Sequence, residues 1–419
     1  MPNASVIHLG CPKNLTLSEE ISGRLARRGY RLTVPEEADV CVVNSCGFVR
    51  EAKEETLRRV LELIRLKTHG RLKKIIFTGC MAGIYREELL KSLPEIDEVV
   101  DVEHLADVLG GEGARLLSTP GYAYLKIAEG CDHACAFCII PQLTGAYRSR
   151  SKREILREAR ALEGQGAREL ILVAQDTTVY GRDRYPDYGL TNLLRDLLKA
   201  TSFPWVRLLY LYPETFPKDL PVLMKSDGRL LPYFDMPFQH ASPPLLKRMR
   251  RGGGKTHFLK FIRSIREKVP GAVFRSSFIV GFPGETEEDA RVLEEFLKEA
   301  RLDRAGFFRY SDEPESASYR LENKVPRREI SRRLARLAAL QKRISLQKHE
   351  RLVGRLRPVL LEESSRGRGR GRLISMAPEI DSHVALTGIP AGLSPGTLGT
   401  VRILRAAPYS LIGRWHEGL

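Results

Sequence analysis

The chain has 419 residues, more than one domain usually needs, and at ~150 residues per domain it suggests two to four. Its 42% hydrophobic and 29% charged residues exclude a disordered or collagen-like chain, and no run of ~18 apolar residues suits a membrane span. The formal charge of +16, from 68 Lys+Arg against 52 Asp+Glu, favours a polyanionic neighbour such as RNA or a ribonucleoprotein, with solubility as the plainer reading.

Met1 to Gly10 lacks the basic region and apolar core of a signal peptide, so the cytoplasm is the expected compartment. From Ala4 to about Leu109, short apolar runs (6–9, 40–43, 75–77, 99–100) alternate with helical spacing near 17–28, 50–67, 84–92 and 103–109. Such alternation predicts a parallel sheet covered by helices, an α/β domain over residues 1–110. Gly110 to Gly113, followed by Pro120-Gly121, reads as a linker.

The alternation restarts at Tyr122. Strands are predicted at 122–127, 169–174, 206–211, 233–236, 273–279 and 305–309, with helices near 152–164, 190–200, 255–268, 286–300 and 326–350. Six βα units over residues 118–350 predict a full or partial TIM-like barrel, whose chemistry sits on loops at the C-terminal strand ends. Beyond residue 350, short runs separated by Gly, Pro and Ser predict a small antiparallel β-barrel over 351–419. Residues 1–108 hold 16 basic and 17 acidic side chains, whereas 320–372 hold 17 basic and 5 acidic. Most of the excess charge therefore belongs to the last long helix and the start of the third domain, including the Arg366–Arg372 Arg-Gly tract. That tract suits electrostatic RNA contact or a solvated hairpin tip.

Seven cysteines, an odd number, all lie between residues 11 and 138, which argues for metal or redox chemistry rather than a disulfide framework. Cys131, Cys135 and Cys138 form a CxxxCxxC triplet just after the first barrel strand. A soft, thiolate-only set suits a 4Fe-4S cluster, or a zinc site borrowing His133 or a remote ligand. Cys11, Cys46 and Cys80 each follow an apolar strand, so a parallel sheet brings all three to one edge as a second ligand set. Cys41 lies inside a strand and reads as core.

The CxxxCxxC triplet at a barrel mouth resembles the radical S-adenosylmethionine (SAM) superfamily. With the second triplet on an α/β domain, the whole chain resembles the methylthiotransferases, which carry an N-terminal methylthiotransferase domain, a radical SAM domain and a C-terminal TRAM domain. The resemblance implies two 4Fe-4S clusters. Cys131, Cys135 and Cys138 would hold the one that cleaves SAM to a 5′-deoxyadenosyl radical, and Cys11, Cys46 and Cys80 the auxiliary one that carries the inserted sulfur. Gly10-Cys11-Pro12-Lys13-Asn14-Leu15 with Ser18-Glu19, Asn44–Phe48, Pro237–Ser242 and Ala377–Asp381 look like the RimO branch. That branch methylthiolates the β-carbon of an aspartate on small-subunit ribosomal protein S-twelve, with external electron and sulfur donors. The transfer-RNA branch, which typically carries Gln-Met-Asn after the first cysteine, is the alternative, and a zinc-stabilised RNA-binding module is the non-enzymatic one. Leu17, Thr144, Met376 and Ser382 depart from the branch pattern and bear on substrate contacts.

Phe137, Gln175, Gln239, Arg275 and Gly281 are the expected SAM contacts: Phe137 lies between two cluster ligands, and the others lie on or end barrel strands. The Gly281 loop reads equally as a plain turn with Thr286 as N-cap. His133 and His240 read as hydrogen-bonding neighbours of the thiols rather than ligands.

Overall fold

Runs such as Val40–Val43 and Ile75–Phe77 are apolar on successive residues, a pattern that is stable only where both faces of a sheet are covered. The structure, a computed structural model, describes residues 1–111 and 114–416 and places these runs in such a sheet. Residues 112 and 113 of the expected linker, and 417–419 of the expected third domain, lie outside the described residues. Strands β1 (Asn3–His8), β2 (Arg31–Leu32), β3 (Val40–Ser45), β4 (Lys74–Gly79) and β5 (Glu98–Val99) lie parallel in the order β2-β1-β3-β4-β5. One face buries Cys41, Val43 and Phe77 against Val60 and Leu63; the other buries Val42 and Ile76 against Ile21 and Leu25. The register pairs His8 with Asn44 and Ser45 with Gly79, so neighbouring strands end level.

The central region contains β6 (Tyr122–Lys126), a short antiparallel pair β7 (Ala128–Glu129) and β8 (Arg148–Ser149), then β9 (Glu169–Val173), β10 (Trp205–Leu208), β11 (Tyr233–Asp235), β12 (Val273–Val280) and β13 (Arg304–Arg309). Two parallel sheets, β10-β9-β6 and β11-β12-β13, meet where Val206 bridges Leu230 and the Leu211 N–H donates to the Asp235 carbonyl at 2.8 Å. Six strands thus make a partial barrel. Burial alternates along β12: Phe274, Phe278 and Val280 pack into the core shared with the surrounding helices, while Arg275, Ser277 and Ile279 fall on the other face. Among the described residues no helix is long and apolar enough to cross a membrane.

The closed small barrel, in the order β14-β15-β16-β18-β17, comprises β14 (Leu356–Ser365), β15 (Arg368–Leu373), β16 (His383–Thr387), β17 (Leu398–Ala407) and β18 (Ser410–His416). It docks at the N-terminal strand ends of the central barrel, where Leu360, Ile374 and Ala377 pack with Tyr122, Trp205 and Tyr233. Tyr233 donates to Asp381 at 2.6 Å and Tyr122 to Glu379 at 3.0 Å. Arg366 and Gly367, both at positive φ (49° and 77°), make the two-residue turn between β14 and β15, so the Arg-Gly tract is a hairpin.

Exposed Arg366 and Arg368 form no ion pair among the described residues, whereas Arg370 is exposed but pairs with Glu363 at 2.5 Å. Arg372 is 2% exposed, 2.7 Å from Glu169 and 2.5 Å from Glu362. Arg333 likewise pairs with Glu285 at 3.1 Å and Arg336 with Glu287 at 2.7 Å. The basic patch expected over 320–372 is therefore reduced to its solvent-facing members, because several of its cations are matched by carboxylates, most of them outside that stretch. Three of the pattern departures are interior residues rather than substrate contacts. Leu17 and Met376 sit in apolar cores, and buried Ser382 accepts from Arg304. The Thr144 hydroxyl bonds the Ile140 carbonyl within its own helical turn.

Candidate functional site

Three thiols reach one edge of the N-terminal sheet because three in-register parallel strands end there. Cys11 caps the helix Pro12–Arg27 just past β1, Cys46 directly follows β3, and Cys80 directly follows β4 and opens the helix Cys80–Ser92. Gly10 is required at the first turn: its φ is +100°, and a Cβ there would stand 2.9 Å from the Cys46 sulfur. Asn14 ties the turns together, its Nδ2 donating to the Leu9 and Ser45 carbonyls at 2.9 Å and its Oδ1 accepting from Cys80 at 3.6 Å. Asn44 in turn donates to the Asn14 carbonyl at 2.7 Å. Burial, followed by the charges of Cys46 and Cys11, pushes the Cys80 thiol up to about 12; burial also raises Cys46. Cys41 is fully buried inside β3 among Val43 and Phe77 and belongs to the core.

The second triplet lies between β7 and the short helix Ile140–Thr144, at the C-terminal end of the barrel strands. Cys131 and Cys135 are buried and Cys138 is half-buried. Gly130, at φ +76°, lets the loop pass so close to Ala146 that a Cβ would fall 2.0 Å from its carbonyl oxygen. The Cys135 sulfur lies 3.6 Å from the Tyr212 hydroxyl and 4.0 Å from Arg251 Nη1. Tyr212 carries the His133 ring stacked at 3.9 Å and the Arg251 guanidinium 3.9 Å from its centroid. His133 Nε2 is 2.7 Å from Asp176, so that histidine is engaged as a neighbour of the thiols. His240 is fully buried, burial lowers it to about 4, and its Nδ1 accepts from the Ser242 N–H at 3.1 Å. Burial pushes Cys138 up to about 12 and raises Cys131. Raised thiols bind protons unless a metal replaces them, so loading such sites releases protons.

Of the other singled-out residues, Phe137 packs half-buried against the barrel core. Gln175 donates to Glu129 at 2.9 Å and leaves its buried Oε1 without a partner among the described residues. Gln239 adopts φ +69°, held by hydrogen bonds to Ser277 and Ile279 on β12. Arg275 is committed elsewhere: it pairs with Asp235 at 2.6 Å and lies 3.9 Å from Asp381 of the small barrel. The close approach at Gly281 is made by Ile330, 2.4 Å from where a Cβ would stand, and Thr286 caps the following helix with Asp289. Sequence reasoning did not single out Lys13, Tyr210, Tyr212 or Arg251. Tyr210 and Tyr212 just past β10, and Arg251 before three glycines, were the available signals.

Lys13 lies within electrostatic reach of both triplets. Its charge acts on Cys11, Cys46 and Cys80 of the first set and on Cys138 of the second. Among the described residues, no three His, Cys, Asp or Glu side chains gather closely enough to hold one metal ion.

Three family models match the chain: the Radical SAM superfamily over residues 125–297, the uncharacterized protein family UPF0004 over 3–101, and the TRAM domain over 353–415. The chain is 41% identical over 433 residues to the ribosomal protein uS12 methylthiotransferase RimO of Desulforudis audaxviator, covering 98% of this chain and 96% of that one. The namesake protein of Aquifex aeolicus is 41% identical, with 99% and 97% covered. Among solved structures, the radical S-adenosylmethionine methyltransferase TsrM from Kitasatospora setae, with cobalamin and a 4Fe-4S cluster bound, matches with a TM-score of 0.56. That likeness covers 94% of this chain and 84% of the other at 13% identity, and so concerns the fold alone. Full-length identity to these relatives, with the three family models in this order, places the chain in the RimO family of radical SAM methylthiotransferases.

Proposed function

We propose that this chain inserts a methylthio group at the β-carbon of an aspartate of small-subunit ribosomal protein S-twelve, using SAM and two 4Fe-4S clusters. The observation that carries the reading is the pair of cysteine triplets, one at the ends of in-register parallel strands and one at the C-terminal end of the barrel strands. An sp³ carbon beside a carboxylate is inert to polar chemistry near neutral pH, so a radical route is needed. When bound, the first cluster would supply the electron that cleaves SAM to the hydrogen-abstracting 5′-deoxyadenosyl radical, and the auxiliary cluster would carry the sulfur to be inserted.

The residues fit these groups. Each set offers three soft thiols and no fourth, the glycines at 10 and 130 leave the turns without Cβ atoms, and Arg251 directs a partly unpartnered guanidinium toward Cys135. On this reading Cys131, Cys135 and Cys138 hold the SAM-cleaving cluster within residues 118–350, and Cys11, Cys46 and Cys80 hold the auxiliary one within 1–110. Tyr212, His133 and Arg251 wall the first cluster and keep bulk water from Cys135. Gln175 offers its unmet Oε1 to a donor on SAM, and Gln239 and Phe137 line the same end of the barrel. The TRAM domain, residues 351–419, meets ribosomal RNA through Arg366 and Arg368, without base specificity. Electrons and sulfur come from external donors, and the cytoplasm is the compartment that suits a ribosomal substrate.

An anaerobic assay with SAM, a reductant and either the ribosomal protein or transfer RNA tests the reading. Methylthio mass is expected on the protein; its appearance only on the RNA overturns the substrate assignment. A colourless zinc protein on anaerobic purification, in place of a brown one with about eight irons, overturns the enzyme itself.

A further inference from the structure

The joint between the two triplets holds a cation that, among the described residues, is ion-paired with no carboxylate. Lys13 follows the first cysteine by two residues, keeps some accessible surface, and forms no ion pair among the described residues. Glu129, the carboxylate whose charge reaches it, is already held by Lys126 at 2.7 Å and Gln175 at 2.9 Å. The Lys13 ammonium instead rests 4.2 Å from the centroid of the Tyr210 ring.

Both members of this pair are fixed. The first turn of the Lys13 helix is tied to two strand ends by Asn14, and Asn44 holds the Asn14 carbonyl. Tyr210 sits at φ +58°, a strained position for a non-glycine residue. It is held by Asp235, which accepts from its N–H at 3.0 Å, and by Thr177, whose N–H donates to its carbonyl at 3.1 Å. Rigid, strained and unpaired groups at one point mark a place prepared for a ligand.

The chemistry of the reaction says what that ligand carries. The reacting carbon of an aspartate is bonded directly to its carboxyl carbon, and it must reach the space between the two triplets. Its carboxylate therefore enters a desolvated site already rich in thiolate charge, where an unpaired anion is strongly disfavoured. A fixed ammonium removes that penalty for an acidic side chain and for no neutral one. We propose that Lys13, backed by the Tyr210 ring, receives the carboxylate of the target aspartate and so determines specificity for an acidic residue. This inference rests on the proposed function above.

The test uses the full chain reconstituted with iron, sulfide and SAM, and labelled ribosomal protein S-twelve carrying either its target aspartate or asparagine there. Dissociation constants from fluorescence anisotropy are compared for wild type, Lys13→Met and Lys13→Arg. Wild type is expected to bind the aspartate form on the order of 10- to 100-fold more tightly than the asparagine form. Lys13→Met, similar in length but uncharged, brings that ratio close to one, chiefly by weakening the aspartate form, and Lys13→Arg restores part of it. Retention of the full ratio in Lys13→Met overturns the role of Lys13, as does equal weakening of both forms, while methylthiolation of the wild-type substrate keeps the proposed function intact. If wild type methylthiolates neither protein form, the functional reading falls and this inference with it.

Discussion

At the N-terminal end of the central barrel, Arg207 reaches Glu169 at 2.6 Å and Arg372 reaches both Glu169 and Glu362, while Tyr233 and Tyr122 bond Asp381 and Glu379. At the C-terminal end of the same strands, Lys13 has no carboxylate ion pair and Gln175 Oε1 and Arg251 Nε have no partner among the described residues, and Tyr210 and Gln239 hold positive φ. One end pairs most of its charges across a domain joint; the other keeps a lysine without a carboxylate ion pair among the described residues beside pairs such as Lys126–Glu129. The contrast separates what holds the molecule together from what is arranged to meet something absent. It also explains why net charge is a poor guide to function here, since several basic residues of the 320–372 stretch are consumed by internal pairs.

The comparison breaks most visibly at the thiols. Cys135→Ala is expected to abolish both SAM cleavage and methylthiolation. Cys11→Ala is expected to abolish methylthiolation while SAM is still cleaved, with 5′-deoxyadenosine and methylthio product followed by mass spectrometry. Full methylthiolation by the Cys11 variant would show that the two triplets do not divide the work.

The docking end gives the next largest effect. Arg372→Met leaves Glu169 with Arg207 alone and Glu362 with only the more distant Arg370, and should cost about 3–5 kcal/mol in denaturant unfolding. Burial alone would raise Glu169, but Arg207 and Arg372 hold it below the ordinary carboxylate range. Its stabilising contribution is therefore complete above the unfolded value, about 4.3, and is lost as the pH falls through the lower folded value. In Arg372→Met that loss is expected to begin at higher pH.

Gly130→Ala combines a left-handed φ with a Cβ 2.0 Å from a backbone oxygen and should cost about 1–3 kcal/mol, with iron lost selectively from the barrel site. At Arg251, substitution by Met removes a cation 4.0 Å from the Cys135 sulfur. The barrel cluster should become harder to reduce, by on the order of 60 mV, about a tenfold change in a one-electron equilibrium, measured by redox titration. The smallest effect belongs to exposed charge. Arg368→Ala should leave stability within about 0.5 kcal/mol while lowering the salt dependence of ribosomal RNA binding by about one counterion. Arg372 and Arg368 thus distinguish a docking arginine from a solvent-facing one in the same hairpin.

Much of this was legible before any coordinates. Unbroken runs such as Val40–Val43 predict strands covered on both faces, because no other environment buries successive apolar residues. The long amphipathic helices follow closely: 255–268 and 152–164 are found as Lys255–Lys268 and Lys152–Gly164. Short elements were not legible. Helices Leu220–Ser226 and Pro243–Arg248 each span too few turns for a period to emerge and are set by packing. Of the cysteines, Cys11, Cys46 and Cys80 do lie at strand ends, as their position after apolar runs suggested. Arg275 reads as a lumen cation free for a ligand, and only the structure shows it paired with Asp235.

The sequence by itself determined which residues can bind soft metals and where strands must lie, since thiol chemistry and apolar periodicity are local properties. Only the tertiary structure decided which charges remain. An arginine in a list is a cation, but Arg372 faces Glu169 more than two hundred residues away, and Lys13 rests on an aromatic ring without a carboxylate ion pair among the described residues. Pairing depends on the fold bringing distant side chains within a few ångströms, where Coulomb energy is large, and spacing along the chain carries no record of it.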